Sequence, residues 1–232
     1  MAWIKQEANV EVAAELDYEN DGIQKTNAYK AEITECRLAE SQDEKSKSMS
    51  LVVGIKTEDG ETAKTYFTIM GRDGNTYFES TYKGKTVKKQ HFGLSIANTL
   101  FEIALGKEIF DCEPEDVEFE RWDKEEKEMV KDNGQGFPEM IGKVVGVCVQ
   151  MHREISGTDS KEFSKIEHFF DDATGLFSGE EAGTTKTKLD KWLGSMKEFK
   201  VTEKEAQNKS SFGGAKKEAT DGEEPVKSRW GK

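Results

Sequence analysis

Cysteine, histidine and long apolar runs are all scarce in this chain, and each shortage removes a class of function. Cys36, Cys112 and Cys148 are its three cysteines among 232 residues, widely spaced and without a CxxC pair. That excludes a sequence-visible zinc ribbon or redox motif and fits a reducing compartment. Cys36 and Cys148 lie in strand-like apolar contexts, where a free cysteine serves as a small core residue. The three histidines, His91, His152 and His168, make no ligand spacing, so neither a metal nor another cofactor is expected. No apolar run approaches the ~20 residues of a membrane span. The opening MAWIKQEANVEV has no signal-peptide apolar centre, so a cytoplasmic chain that stays off the membrane is expected.

Catalytic patterns are missing too. No DxD, HExxH, GxSxG or GxxxxGK[ST] occurs, and charge runs such as DKEEKE at 123–128 read as solvated faces. An enzyme is therefore not expected. A Mg²⁺-dependent nuclease built from scattered acids would leave no pattern, and degradation of labelled strands in Mg²⁺ separates it from a binder, which protects them. Apolar residues are only 34% of the chain and charged residues also 34%. The core must be modest, and some segments carry none.

What is present is charge, unevenly placed. The chain carries 46 Asp+Glu against 34 Lys+Arg. Yet residues 71–91 hold Arg72, Lys83, Lys85, Lys88 and Lys89 against only Asp73 and Glu79. Interleaved in and just before them are Tyr66, Phe67, Tyr77, Phe78 and Tyr82. Cations neutralise phosphates and flat rings stack on any base, which is the chemistry of a sequence-tolerant single-strand binder. The candidate nucleic-acid face is Lys64, Tyr66, Arg72, Tyr77, Tyr82, Lys83, Lys85, Lys88 and Lys89, with at least one tyrosine expected in the core. The plain alternative is a hairpin that buries half its rings and solvates its lysines.

In chain order, residues 1–27 form an acidic arm. From 28 the pattern alternates with period two: Tyr29, Ala31 and Ile33, a register shift suggesting a bulge, then Cys36 and Leu38. Met49, Leu51, Val53 and Ile55 make a second strand, and Thr62 to Met70 a third, with Phe67 and Ile69 facing inward. Arg72-Asp73-Gly74-Asn75 predicts a tight hairpin turn, followed by a ribbon or long loop over 76–89. Phe92, Ile96, Leu100, Ile103 and Ala104 recur at helical spacing until Gly106, predicting a helix over 93–105. Residues 107–136 form an acidic insert, with twelve acids against five bases in 107–132; a helix is expected around 124–131 and a break at Asn133-Gly-Gln-Gly136. Two more strands follow, 140–151 and 163–170, then an amphipathic element over 187–199. A flexible tail is expected over 201–232, because it cannot bury enough to offset chain entropy.

Three strands, a helix and two strands predict a mainly β protein: a five-stranded OB-fold barrel spanning 28–200, with a helix between its third and fourth strands and a C-terminal helix. The segments AYKAEITECRLAESQDEKSKSMSLVVGIKTEDG and MIGKVVGVCVQMHRE, with the IGK phrase opening a valine-rich strand, resemble bacteriophage single-stranded-DNA-binding proteins of the OB-fold type. The resemblance implies a non-enzymatic protein of the infected cell's cytoplasm. It would coat single-stranded DNA in replication and recombination, with transcription as a further setting. Many such binders end in an acidic tail with a terminal aromatic, whereas this chain ends EEPVKSRWGK. Lys227, Arg229, Trp230 and Lys232 are the candidate partner-binding residues, suited to an acidic groove on a replication protein or RNA polymerase. The rival of another class is an acidic interaction or DNA-mimic protein that docks on a nucleic-acid enzyme.

Overall fold

The computed structural model describes residues 22–41, 45–82, 85–123, 127–156, 159–183, 185 and 187–204. The protein is mainly β, as expected. Strands β1 (Asn27–Glu40), β2 (Met49–Thr57) and β3 (Thr62–Met70) form an antiparallel meander. Their alternation sends Ile33, Leu51, Val53, Ile55, Phe67 and Ile69 to one buried face. The β2–β3 turn closes on Gly60, whose φ of 90° is left-handed backbone that glycine adopts without strain. The register of β1 shifts between Ile33 and Glu35, where the sequence expects a bulge. Ile23, within the segment read as an arm, is also buried in this core.

A two-stranded ribbon, β4 (Tyr77–Tyr82) and β5 (Lys85–Gln90), follows and forms a separate sheet. Helix α1 (Phe92–Leu105) then lays Leu94, Ile96, Ala97, Leu100 and Phe101 over the core and ends at Gly106, whose φ is 69°. Strands β8 (Val144–Ser156) and β9 (Asp159–Phe170) bring Val145, Val147, Val149, Ile166 and Phe169 beneath it. The short helix α2 (Lys188–Ser195) starts at a capping box between Thr187 and Asp190. It stops four residues before Phe199, the end the sequence expects.

The five-stranded barrel is not what forms. Strands β3, β2, β1, β8 and β9 follow one another in that order, but no ladder joins β3 to β9 among the described residues. That seam is filled by side chains instead. Phe67 and Phe169 meet edge to face at 5.8 Å, and the Ile166 amide donates to Thr65 Oγ1 at 2.9 Å. The sheet also has eight strands, because β1 and β8 are longer than the stretch they share. They pair only over Asn27–Glu32 and Val144–Val149. Beyond it, β1 pairs through Arg37 with Gly136 of β7 (Glu128–Gly136), and β8 pairs in parallel with β10 (Lys200–Lys204).

The acidic insert is corrected as well. Its residues from Glu115 onward form the hairpin β6 (Glu115–Asp123) and β7, and the described residues of the expected helix around 124–131 are turn and strand. The glycines at 134 and 136 do not break it; each lies where the backbone is approached closely. A Cβ on Gly136 would meet Cys36 O at 2.8 Å, and one on Gly134 the Phe119 ring at 3.1 Å. Of the segment read as tail, residues 201–204 belong to strand β10.

Gly93 lets α1 lie directly on β3: an added Cβ would sit 2.7 Å from Thr68 N and closer still to Thr68 O. Both are backbone atoms of a paired strand and cannot swing away. Gly93→Ala is expected to cost about 1–3 kcal/mol by overpacking, and so to lower the melting temperature by roughly 2–12 °C for a domain of this size. An unshifted melt would show that α1 is free to ride up off the sheet.

Candidate nucleic-acid interface

The turn at Arg72–Asn75 forms, but the strands on either side of it do not pair: β3 pairs with β2, and β4 with β5. The turn is locked locally. Gly71 N donates to Asn75 O at 2.8 Å, Gly74 N to Gly71 O at 2.9 Å, and Gly74 has φ 79°. Asp73 accepts from the Asn75 side chain at 2.6 Å and the Asn75 amide at 3.1 Å. Those bonds hold its carboxyl below the usual carboxylate range. The far end is closed by His91 N donating to Thr76 O at 3.1 Å. The base of the ribbon is thus fixed while its body stands free.

The ribbon has no core beneath it. Every residue of β5 is exposed, and Phe78 and Val87 keep 45% and 46% of their surface. Strand pairing sorts its side chains onto two faces, because residues opposite each other point the same way. Phe78 is opposite Lys89 and Ser80 opposite Val87, with Lys85 two residues further along that face. The other face carries Tyr77, and Glu79 opposite Lys88. There, Lys88 Nζ donates to Tyr77 OH at 3.2 Å and lies 4.4 Å from the ring centroid. One face of the Tyr77 ring is therefore already occupied by a cation. The face of Phe78, Lys85 and Lys89 holds two lysines and a half-exposed ring that leans on the His91 imidazole at 5.6 Å between centroids, with neither Asp73 nor Glu79 on it. Phe78 belongs with the candidate residues; its 45% exposure identifies it, where sequence alone favoured the tyrosines.

The remaining candidates are spread out. Arg72 is exposed at the turn. Tyr66 is 58% exposed on the outer face of β3, four residues, or about 13 Å, back from the strand end. Neither Tyr66 nor Tyr77 is core, while Phe67 and Ile69 are, as expected. Lys64 shares the outer face with Tyr66 but is ion-paired with Glu35. The two reach each other across Gly54, which is in register with both and has no side chain to separate them. Glu35 also accepts from Arg37 Nε at 2.7 Å. Tyr82 is opposite Lys85 in the ladder. Its side chain, Lys83, and the tail residues Lys227, Arg229, Trp230 and Lys232 lie outside the described residues.

Negative charge is held elsewhere. The β6–β7 hairpin is laced by Arg121–Asp132 at 2.7 Å and Lys131–Glu118 at 2.7 Å. It docks on the outer face of β1 through the Arg37 guanidinium, 3.8 Å over the Phe119 ring. Burial pushes the Cys36 and Cys148 thiols up to about 12, so both are inert core groups at neutral pH. Among the described residues no group of three or more His, Cys, Asp or Glu side chains is gathered to hold a metal ion, and no helix is long and apolar enough to cross a membrane. Compared with protein-family models and with curated proteins, the chain matches none.

The two faces of the ribbon make unequal demands on their lysines. For a single strand lying on the Phe78 face, Lys85→Ala and Lys89→Ala should each weaken oligo(dT) binding and flatten the salt slope by about 0.7 log units. Lys64→Ala, which removes a cation already neutralised by Glu35, should leave the slope unchanged. Titrations at several salt concentrations decide this; equal slopes for all three variants would contradict the assignment.

Proposed function

We propose that the chain binds single-stranded DNA without strong sequence preference and coats and protects it. The setting is phage replication and recombination, with transcription as a further one, in the cytoplasm of the infected cell. The observation that carries this is the β4–β5 ribbon: a basic arm with a half-exposed aromatic, Phe78, and a second strand exposed throughout, in a chain of net charge −12. A two-stranded hairpin with no core is marginal alone, and a strand of nucleic acid supplies the phosphates and bases that such an arm can hold. Lysines there act as mobile point charges on phosphate, and rings stack without reading sequence. The strand order β3, β2, β1, β8, β9, with α1 between β3 and β8, supports kinship with OB-fold binders as an opened and extended version of that barrel. The chain acts as a binder, not as an enzyme.

The test is titration with oligo(dT) and oligo(dC) over a range of salt, together with nuclease protection of the same strands. Comparable affinity for both, falling as salt rises, is expected. The β6–β7 hairpin, with its exposed carboxylates, favours a second reading: an acidic surface that imitates DNA and docks on a nucleic-acid enzyme. Weak single-strand affinity beside tight binding to such an enzyme would favour it.

The terminal segment is assigned to partner recruitment through Lys227, Arg229, Trp230 and Lys232. Deleting the last ten residues should change oligo(dT) affinity by less than about tenfold, or about 1.4 kcal/mol, and abolish pull-down of replication proteins or RNA polymerase. Loss of DNA binding with intact pull-downs would reverse that division.

A further inference from the structure

Phe92 is predicted to face the core, yet among the described residues it is the most exposed of the large apolar side chains, at 69%. It is the first residue of α1, so its ring overhangs the end of the helix rather than its inner face. It forms one rim of a cleft of about 320 Å³ between α1, β9 and α2. That volume is at the small end of the range for pockets that enclose organic ligands, about 300–1,000 Å³.

Aromatic rings dominate the walls. Phe92 and His168 meet edge to face at 6.4 Å, and His168 and Phe177 at 5.6 Å. Trp192 closes the α2 side, with its indole fixed by Nε1 donating to Glu167 Oε2 at 3.1 Å. Glu167 also pairs with Lys200. Burial works against its charge, but the bonds from Lys200 and Trp192 prevail and hold its carboxyl low. The indole therefore keeps an ionised acceptor at neutral pH. Burial also lowers the His168 imidazole, which favours the neutral ring that stacks without a counter-ion.

The polar lining is of one kind. Lys188 stands at the rim, Ser95 offers a hydroxyl, and none of the nine lining residues is acidic. In a chain with 46 carboxylates, the two next to the cleft are turned to its wall: Glu167 accepts from the Trp192 indole, and Glu180 from the Phe177 and Lys188 amides. The lining they leave suits a flat ring that carries an anionic group. It also lies close to the ribbon along the chain. Lys89 and Phe92 are three residues apart, at most about 11 Å of chain. Gln90, the last residue of β5, is tied to α1 by the Ser95 hydroxyl at 3.3 Å.

We propose that this cleft is a nucleobase pocket, taking one unstacked base of the single strand that leaves the ribbon, with Phe92 as the stacking ring and Lys188 on the adjoining phosphate. The inference rests on the single-strand reading of the ribbon and adds a second, separate point of contact. Phosphate neutralisation belongs to Lys85 and Lys89; base capture belongs to the cleft.

The experiment uses the full chain with two probes of equal length, oligo(dT) and the corresponding abasic strand. Phe92→Ala should weaken oligo(dT) binding by roughly 5- to 150-fold, the range for loss of one stacked base, and leave the abasic strand unaffected. Phe92→Leu, which keeps apolar bulk and removes the ring, should behave as Phe92→Ala, and Phe92→Trp should restore binding. Unchanged oligo(dT) affinity in Phe92→Ala, beside weakened binding in Lys85→Ala and Lys89→Ala, overturns the pocket and leaves the ribbon standing. An equal loss on the abasic strand overturns it by assigning Phe92 to the backbone or to the fold. A gain in affinity overturns it by showing that the cleft holds another occupant, such as the chain's own C-terminal segment. No binding of either probe by the unsubstituted protein removes both proposals together.

Discussion

Everything in this molecule depends on how little of β1 and β8 overlap. The two long strands share a ladder of six residue pairs, Asn27–Glu32 with Val144–Val149, and then diverge. A strand edge left open must find other partners, because buried amides and carbonyls cannot go unpaired and exposed edges invite aggregation. The structure answers at both forks. Beyond its shared stretch β1 meets β7 at Arg37, and β8 takes β10 from His152 onward. The gap at the second fork is closed by side chains. Gln150, 1% exposed, donates through Nε2 to Thr26 Oγ1 at 2.8 Å and to Lys197 O at 2.7 Å, while Met151 N donates to the same threonine at 2.9 Å. Thr26 and Gln150 thus stand in for the ladder where one neighbour ends and the next begins.

These forks decide where charge can go. The acidic hairpin is held at the β1 fork, with Gly136 against Cys36 and Arg37, so its carboxylates lie over the outer face of the sheet. Arg37 is spent twice on that side, on Glu35 and on the Phe119 ring. The ribbon leaves from the end of β3 instead, with no acidic strand paired to either of its edges among the described residues. Beyond about 8–10 Å at ordinary ionic strength, screening hides exposed charges from one another. A chain of net charge −12 can therefore present a local positive surface, provided the carboxylates are anchored elsewhere.

The sequence makes the meander, α1 and β8 legible through a period of two or of three to four, and the bulge near Thr34 through the break in that period between Ile33 and Cys36. The inward placement of Phe67 and Ile69 follows from the same alternation. The acidic hairpin was legible in principle, since Val117 and Phe119 alternate with Asp116, Glu118 and Glu120. Charge density and the Gly-rich stretch at 133–136 obscured it, yet those glycines are needed for the close approach of Phe119 and Arg37. The open seam between β3 and β9 has no local signature. It depends on groups 101 residues apart, the Thr65 hydroxyl and the Ile166 amide, and the lengths of β1 and β8 that create the extra strands are set by tertiary pairing. The position of Phe92 is hidden for a related reason. A helical period shows which residues share a stripe, but not that the first of them extends past the surface the stripe covers.

The candidate interface teaches the same distinction for charge. Counting cations along 64–91 ranks Lys64 with Lys85 and Lys89, but their surroundings differ in kind. Lys64 faces Glu35 across a glycine, so a phosphate arriving there must displace a carboxylate already in place. Lys88 rests on the Tyr77 ring, and using either for nucleic acid means undoing that contact. Lys85 and Lys89 stand beside Phe78 on a surface without Asp73 or Glu79. Lys64 is half-exposed while the Glu35 carboxylate is largely buried; the effect of the pair is to remove a cation from the field that an anionic ligand would meet. The available charge, rather than the total charge, is what the ribbon concentrates. That follows from a backbone choice made elsewhere: Gly54 in β2 lets one lysine be neutralised, and among the described residues β5 has no strand beside it but β4, which leaves two others exposed.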